Sequence, residues 1–472
     1  MTSEHRGPRV AFVVVVLALL ALTGAAPASA DGAPVGADLH IAQTLGDREL
    51  TVVIRRAEPV PGPLRVELVT HTGTRPGPVT ARTSFAGAVT SSAVITLGAA
   101  PGPYDGTLRV ERPGAWELLL DDGDQVARIP FVVPALVASP WEKTTYGGFV
   151  AAGVLLLVSL GVALKRPRFA LVPATGVVAA VAVAVTAALL SAQITPPPPP
   201  GAVLDPTEDT VADPFAVPPP SIVDFSRPPV NLLARAEAPG RLRVDVTDGS
   251  TGRPADDLLV HDNALVHLVI VSPAGRMWHL HPVRTAPGSY AVRLDVPETG
   301  DYAVSAELAR RGGGVQLART KLHLTATAAP TTAPAAPRPG IRQLGGTSVD
   351  LRTTPLTAGR TGTVTARFPT ADLQPWLGML GHLIVVGPLP DGPIDAVAAP
   401  VWAHAHAMTP VVPGAVGGQP DETVAAYGPD VAFSYTFPLP GRYRLWVQAE
   451  RGYTVLTVPA TVEVAAGNGE NR

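Results

Sequence analysis

Cysteine is absent from all 472 residues, which removes disulfide scaffolds, thiolate zinc sites, iron–sulfur clusters and cysteine nucleophiles together. Charge is scarce. Asp, Glu, Lys and Arg make up 16% of the chain, and the 36 basic residues do not exceed the 39 acidic ones, for a net charge of −3. A phosphate-reading surface needs a clear basic excess, so nucleic acid is not an expected partner. Also missing are a Gly-x-Ser-x-Gly elbow, a His-Glu-x-x-His pair, a phosphate-cradling glycine loop and an acidic pair spaced for general acid–base work, so catalysis is not expected. Proline (52) and glycine (46), by contrast, are abundant, a composition that suits short strands, turns and linkers. The mean hydropathy of +0.24 is too apolar for an ordinary soluble chain and points to membrane segments. At about 150 residues per domain, the length allows three.

Residues 1–30 have the parts of a secretory signal: Arg6 and Arg9, an uncharged apolar run, then Ala28-Ser29-Ala30. Two further apolar stretches, residues 146–164 and 169–195, lack charged side chains and are long enough to cross a bilayer. The basic turn between them, residues 165–168, is placed in the cytoplasm by the positive-inside rule, so the rest of the chain is expected outside the cell membrane. Neither span carries Asp, Glu, Lys, Arg or His, which leaves no relay through the bilayer and marks the hairpin as an anchor. Gly148 and Ala152 have the small-xxx-small spacing of packed helices.

Pro-rich linkers at residues 196–229 and 328–340 separate three segments, 31–140, 230–327 and 341–466. Each alternates β-branched or aromatic residues with polar ones between Pro-Gly and Asp-Gly turns, so each is expected to be a small antiparallel β-sandwich and the fold class mainly β. An internal repeat supports the division. In each segment an alternating strand reaches a turn glycine (Gly114, Gly300, Gly441), followed two residues on by an aromatic (Trp116, Tyr302, Tyr443). The pattern predicts a shared closing hairpin with the aromatic in the core.

The second and third segments share a further constellation. His267 and His382 each start a His-Leu pair on an apolar strand, followed by a turn and a His-x-His, His279 with His281 and His404 with His406. His261 is a seventh candidate. Histidines at i and i+2 on a strand share a face, and a turn at Ser272-Pro273-Ala274-Gly275 would set His267 roughly opposite His279. Trp278 and Leu280 then point inward and turn the histidine face outward, whereas Trp402 falls on the histidine face of the third segment. Imidazole suits copper, zinc and nickel, with affinity rising to copper. Met277 and Met408 lie nearby in sequence as soft thioether candidates. The bland alternative is that these are structural, hydrogen-bonded histidines.

The stretches "VHDNALVHLVIVSPAGRMWHLHP" and "LQPWLGMLGHLIVV" resemble bacterial extracytoplasmic modules that carry a His-Leu strand followed by a His-x-His-Pro, and "PGPYDGTLRVERPGAWELLLDD" resembles the YtkA-like/FixH-like sandwiches, related in architecture to CopC-type copper carriers. The resemblance implies immunoglobulin-like sandwiches and a role in copper handling or respiratory-oxidase assembly. Ala407 stands where that pattern has proline, and the first segment has only His40 and His71 with no His-x-His. Together these features predict a membrane-anchored, non-catalytic protein that binds or buffers copper. One ligand set would be His267, His279 and His281, the other His382, His404 and His406, and whether they form separate sites is left open. The other reading is an adhesion or interaction scaffold with a protein partner outside the membrane.

Overall fold

The computed structural model describes residues 38–55, 60–133, 141–192, 225–332, 335–390, 394–410 and 420–467. The proposed signal and most of the first Pro-rich linker lie outside the described residues. The fold is mainly β: three β-sandwich modules and a pair of apolar helices.

The first module comprises β1 (Leu39–Leu45), β2 (Arg48–Ile54), β3 (Gly62–Thr70), β4 (Gly77–Phe85), β5 (Ala88–Leu97), β6 (Gly102–Val110), β7 (Gly114–Asp121) and β8 (Val126–Val133). They form two four-stranded sheets, ordered β1-β2-β3-β6 and β5-β4-β7-β8. The second runs through β9 (Val230–Ala238), β10 (Arg241–Asp248), β11 (Leu258–Leu259), β12 (His267–Val271), β13 (Met277–Leu280), β14 (Val283–Ala286), β15 (Ser289–Arg293), β16 (Gly300–Arg310) and β17 (Gly314–Leu324). Its sheets are β14-β15-β10-β9 and β11-β16-β12-β13, with β17 also on β16. The third contains β18 (Gly340–Leu344), β19 (Thr347–Thr353), β20 (Thr361–Arg367), β21 (Leu373–Gln374), β22 (Met379–Leu389), β23 (Val401–Met408), β24 (Asp430–Thr436), β25 (Gly441–Arg451) and β26 (Thr454–Val464). Its sheets are β18-β19-β20-β24 and β21-β25-β22-β23 with β26 on β25; the second of these has the same strand order as its counterpart in the second module, while the four-stranded sheets differ in their edge strands, β14 and β18.

The repeated aromatics are core residues, as their pattern suggested. Trp116, Tyr302 and Tyr443 are all buried, and each donates to the backbone carbonyl four residues before it, Arg112, Glu298 and Leu439. The expected closing hairpin is corrected: the turn carries the chain from one sheet to the other, and the strand after the glycine pairs with the strand that follows it. Gly114, Gly300 and Gly441 have positive φ, and an added Cβ would meet Phe85, Pro273 and Pro388 within 3 Å. Only glycine fits these crossings.

The modules pack against one another. On β12, Leu268 and Ile270 enter the core of their own module, while His267, Val269 and Val271 face the third module. On β22, Leu383 and Val385 face inward, while His382, Ile384 and Val386 face back. The outward rows meet in an apolar layer completed by Trp446, Ala396 and Ala399, with Met277 and Trp402 packed against it. Strands covered on both faces lose the apolar–polar alternation and become continuous apolar runs, as "HLVIV" and "HLIVV" do. The first module docks at one end of this interface. Ala42 N–H donates to the Asn263 carbonyl (2.7 Å), Thr44 N–H donates to the His281 carbonyl (2.7 Å), and Arg284 of the second module pairs with Glu117 of the first (2.9 Å).

Two helices, Glu142–Lys165 and Leu171–Ala192, follow the first module and are long and apolar enough to cross a membrane. The first begins four residues before the expected span, and the basic turn is a single 3₁₀ turn, Pro167–Phe169. The Gly148 and Ala152 spacing does mark the contact: a Cβ on Gly148 would lie 2.8 Å from that of Ala184, and Ala152 and Ala184 are buried.

Ile384 is 1% exposed in the layer between the second and third modules. Ile384→Ala removes packing from that layer and leaves a cavity, at a cost of about 2–5 kcal/mol. A lowered Tm in thermal unfolding is the expected result, and an unchanged Tm would show that the two modules do not share this interface.

Candidate metal centre

The alternation of β12, β13, β22 and β23 puts six imidazoles on the two faces that meet. On β13, Trp278 and Leu280 pack into their own module, as expected, and His279 points away from it. The histidine face is nevertheless not exposed to solvent, because the third module covers it: His267, His281 and His382 are at most 1% exposed and His279 is 8% exposed. The register is also corrected. β12 pairs with β13 as Leu268↔Leu280 and Val269↔His279, so His281 continues the ladder opposite His267, and His279 lies diagonal to it. In the third module His382 stands opposite His406. The two triads, His267/His279/His281 and His382/His404/His406, are thus pseudo-equivalent despite the longer turn.

They form one cluster. Ring centroids of His279 and His404 lie 4.8 Å apart, those of His267 and His404 5.1 Å, and those of His279 and His382 5.4 Å. Two groups, His267/His279/His404 and His382/His404/His406, each bring three ligand atoms within 4.8 Å of one another and share His404. Trp376 caps the cluster edge-on, with ring centroids 4.9 Å from His382 and 5.4 Å from His279.

The second expected feature of the centre, a thioether, is not there. Met277 packs in the apolar layer and Met408 is exposed. His261 is likewise separate from the six: its backbone carbonyl accepts from His267 Nε2, and its ring faces Asp262 and Glu307. Of the first module's histidines, His71 pairs with Glu450 (2.6 Å) at a different buried contact, and His40 is held low by burial and Arg55.

Hydrogen bonds outside the cluster set which nitrogen of each ring carries a proton. A carbonyl only accepts, so His267 Nε2 donates to His261 O (3.1 Å) and His382 Nε2 donates to Trp376 O (3.2 Å). Both residues then turn a bare Nδ1 inward. His281 Nδ1 donates to Glu49 of the first module (2.6 Å), which leaves its Nε2 buried with no hydrogen-bond partner. Gln448, whose amide nitrogen donates to Thr457, turns its oxygen to His279 Nδ1 (2.9 Å). His406 Nδ1 faces Asp262 (3.3 Å) and His404 Nδ1 faces Glu307 (3.6 Å). Such outer partners orient ligand imidazoles and raise their basicity.

Inside the cluster, protons are too few. His404 Nε2 lies 3.1 Å from the bare Nδ1 of His382 and 3.3 Å from Nε2 of His406, and His267 Nδ1 lies 3.3 Å from His279 Nε2. His404 has one proton for two demands: on Nε2 it satisfies His382 Nδ1 and leaves its own buried Nδ1 without a hydrogen-bond partner, 3.6 Å from Glu307, and on Nδ1 it leaves the His382 contact lone pair to lone pair. Protonation does not relieve it: burial first, then the neighbouring imidazoles, hold His267, His279, His382 and His404 well below the usual histidine range. Burial also lowers His406, against the pull of Asp262. The donor set fits a cation that prefers imidazole nitrogen. The sequence pattern supplied all six rings, but Glu49, Trp376, Gln448, Asp262 and Glu307, which orient or cap them, carry no local signal.

Residues 342–466 match a family model described as a domain of unknown function (DUF8832), a segment that contains His382, His404 and His406. No curated protein matches the chain. Among solved structures, the chain is similar to a tetra-tandem repeat in the extending region of a large adhesion protein (12% identity, 91% of this chain and 74% of that one, TM-score 0.17). It is similar to the FN1–FN3 domains of chicken CNTN1 (8% identity, 90% and 99%, TM-score 0.14). It is also similar to E. coli α2-macroglobulin (11% identity, 92% and 23%, TM-score 0.17), of which it spans about a quarter of the length.

Two measurements follow from the proton arrangement. Long-range ¹⁵N–¹H correlation of the metal-free protein should show His267 and His382 as Nε2–H tautomers and His281 as Nδ1–H, and the opposite tautomers would contradict the assignment. The five lowered imidazoles each bind a proton more readily unfolded than folded, so their contribution to stability is full above pH 6.5 and is lost as pH falls below it. Burial pushes Glu307 up to about 8 and Glu422 up to about 7, and these two act in the opposite sense between 4.5 and those values. His71, lowered by burial but carried up to about 9 by Glu450, loses its contribution only above 6.5. The imidazoles outnumber the carboxyls, and each net proton is worth about 1.4 kcal/mol per pH unit. The Tm of the metal-free protein should therefore fall between pH 6.5 and 5, and a constant or rising Tm would show that the cluster is not held neutral.

Proposed function

We propose that this protein is a membrane-anchored, non-catalytic protein that binds and buffers a transition metal, copper in preference to zinc, in the six-imidazole centre outside the cell membrane. The observation that carries this reading is the proton deficit among His382 Nδ1, His404 Nε2 and His406 Nε2, buried nitrogens that face one another at 3.1 and 3.3 Å. A cation among them removes the repulsion, and nitrogen donors without thiolate or thioether favour copper over the other available divalent ions. His267, His279, His281, His382, His404 and His406 would hold it. Glu49, Gln448 and Asp262 hold the outer Nδ1 nitrogens of His281, His279 and His406, Glu307 faces that of His404 at 3.6 Å, and two backbone carbonyls hold the outer Nε2 nitrogens. The two apolar helices supply the anchor, and the basic turn between them supports the outside placement of the modules. The sequence resemblance to YtkA-like/FixH-like, CopC-related modules supports the same function. Burial of the centre and its cap by Trp376 suit storage or hand-over of an ion better than turnover of a substrate.

Because the first module supplies Glu49 and docks beside the centre, the test uses the full chain in detergent. Copper titration by calorimetry and elemental analysis should find one tightly held equivalent. It should be lost in His279→Ala/His281→Ala and equally in His404→Ala/His406→Ala, since both pairs serve one centre. No copper or zinc binding tighter than millimolar would overturn the proposal and leave a membrane-tethered interaction scaffold.

A further inference from the structure

His261 lies beside the six-imidazole centre but does not belong to it, and the residues it faces make a second group of a different chemistry. The loop after β11 places His261 and Asp262 against Glu307 of β16, the residue opposite His267 in the ladder. His261 Nε2 is 3.1 Å from Asp262 Oδ2 and 3.8 Å from Glu307 Oε1, and the three ligand atoms lie within 4.8 Å of one another. Donors bound at about 2.0–2.2 Å from one ion stand roughly 3–4 Å apart, so little movement separates this arrangement from a coordinating one.

The group is short of positive charge. Asp262 lies against His261 and His406 (3.1 and 3.3 Å), and Glu307 lies against His261 and His404 (3.8 and 3.6 Å); among the described residues no lysine or arginine pairs with either carboxyl. All three side chains are at least 85% buried, where ionising both carboxyl groups without a cation is costly.

A separate observation marks space beside Glu307. A cavity the size of one water molecule lies between β16 and β23, lined by Glu307, Ser305, His267, His404 and apolar residues, with His261 and Asp262 outside its lining. Two buried polar atoms have no hydrogen-bond partner there: His404 Nδ1, on a side chain 2% exposed, and Ser305 Oγ, on a residue 2% exposed. His404 therefore turns its Nε2 to the imidazole cluster and its Nδ1 toward the carboxylate group.

We propose that His261, Asp262 and Glu307 form a second metal position, one that takes a divalent cation harder than copper, of the manganese class, next to the six-imidazole centre. One imidazole and two carboxylates select such ions, whereas six imidazoles select copper. Its three donors are not among the six ligands, but Asp262 and Glu307 also face the outer nitrogens of His406 and His404, so the two positions adjoin. Paired ions would explain why both carboxylates are kept at a module boundary where arginine would otherwise neutralise them.

The test is Mn²⁺ uptake by the full chain in detergent, read from loss of the free-ion electron paramagnetic resonance signal. The wild type should take up one equivalent with a Kd below about 1 mM. Asp262→Asn/Glu307→Gln should take up none, and His279→Ala/His281→Ala should retain it. Glu307→Gln alone, the milder change, should weaken Mn²⁺ at least tenfold if the double variant does not fold. Absence of Mn²⁺ uptake by the wild type, or equal uptake by the wild type and the carboxylate variants, would overturn the second position and leave the copper result untouched. Loss of Mn²⁺ in His279→Ala/His281→Ala with retention in the carboxylate variant would assign the ion to the imidazole centre instead and overturn the proposal as well.

Discussion

The constraint on which the rest of the structure depends is the burial of six imidazoles between two β-sheets that each already have a core. An imidazole removed from water needs a partner for both nitrogens, and in this protein each outer nitrogen is turned to an oxygen outside the cluster. Those oxygens come from all three modules, so the centre exists only when the modules are assembled. The apolar layer of Val269, Val271, Ile384, Val386 and Trp446 supplies the association, and the histidines at its end supply the chemistry.

This arrangement gives the pseudo-symmetry of the second and third modules a purpose. His267 begins β12 and His382 is the fourth residue of β22, both on inner strands of the facing sheets, and both donate Nε2–H to a carbonyl six residues earlier, His261 and Trp376. A duplicated sandwich with one triad would offer three imidazoles on an open face. Two such faces brought together close the site against solvent and double the donors. The first module, which lost or never had the triad, contributes through Glu49 and through the contacts of Ala42 and Thr44.

Much of this was legible in the sequence, and the failures have physical causes. Alternation and turn residues identify three sandwiches, the helices follow from uninterrupted apolar runs, and the spacing of Gly148 and Ala152 marks the helix contact. Repetition of a short pattern identifies the six clustered histidines. The expected exposure of the histidine face failed because inward Trp278 and Leu280 say only which face meets the module's own core. The signal for a second covering lay in the unbroken apolar runs after His267 and His382. The register of β12 on β13 was misplaced by two residues, since sequence symmetry about a turn does not reveal where the ladder begins. Glu49, 232 residues from His281, and Gln448, 169 from His279, are joined to the site only by tertiary packing.

The measurement that bears most directly on the central claim is X-ray absorption at the copper edge of the full-length protein loaded with one equivalent. The account predicts a first shell of nitrogen at about 2.0 Å, with the outer-shell scattering of several imidazoles and no sulfur. A shell containing sulfur, or one of oxygen without imidazole scattering, would contradict it.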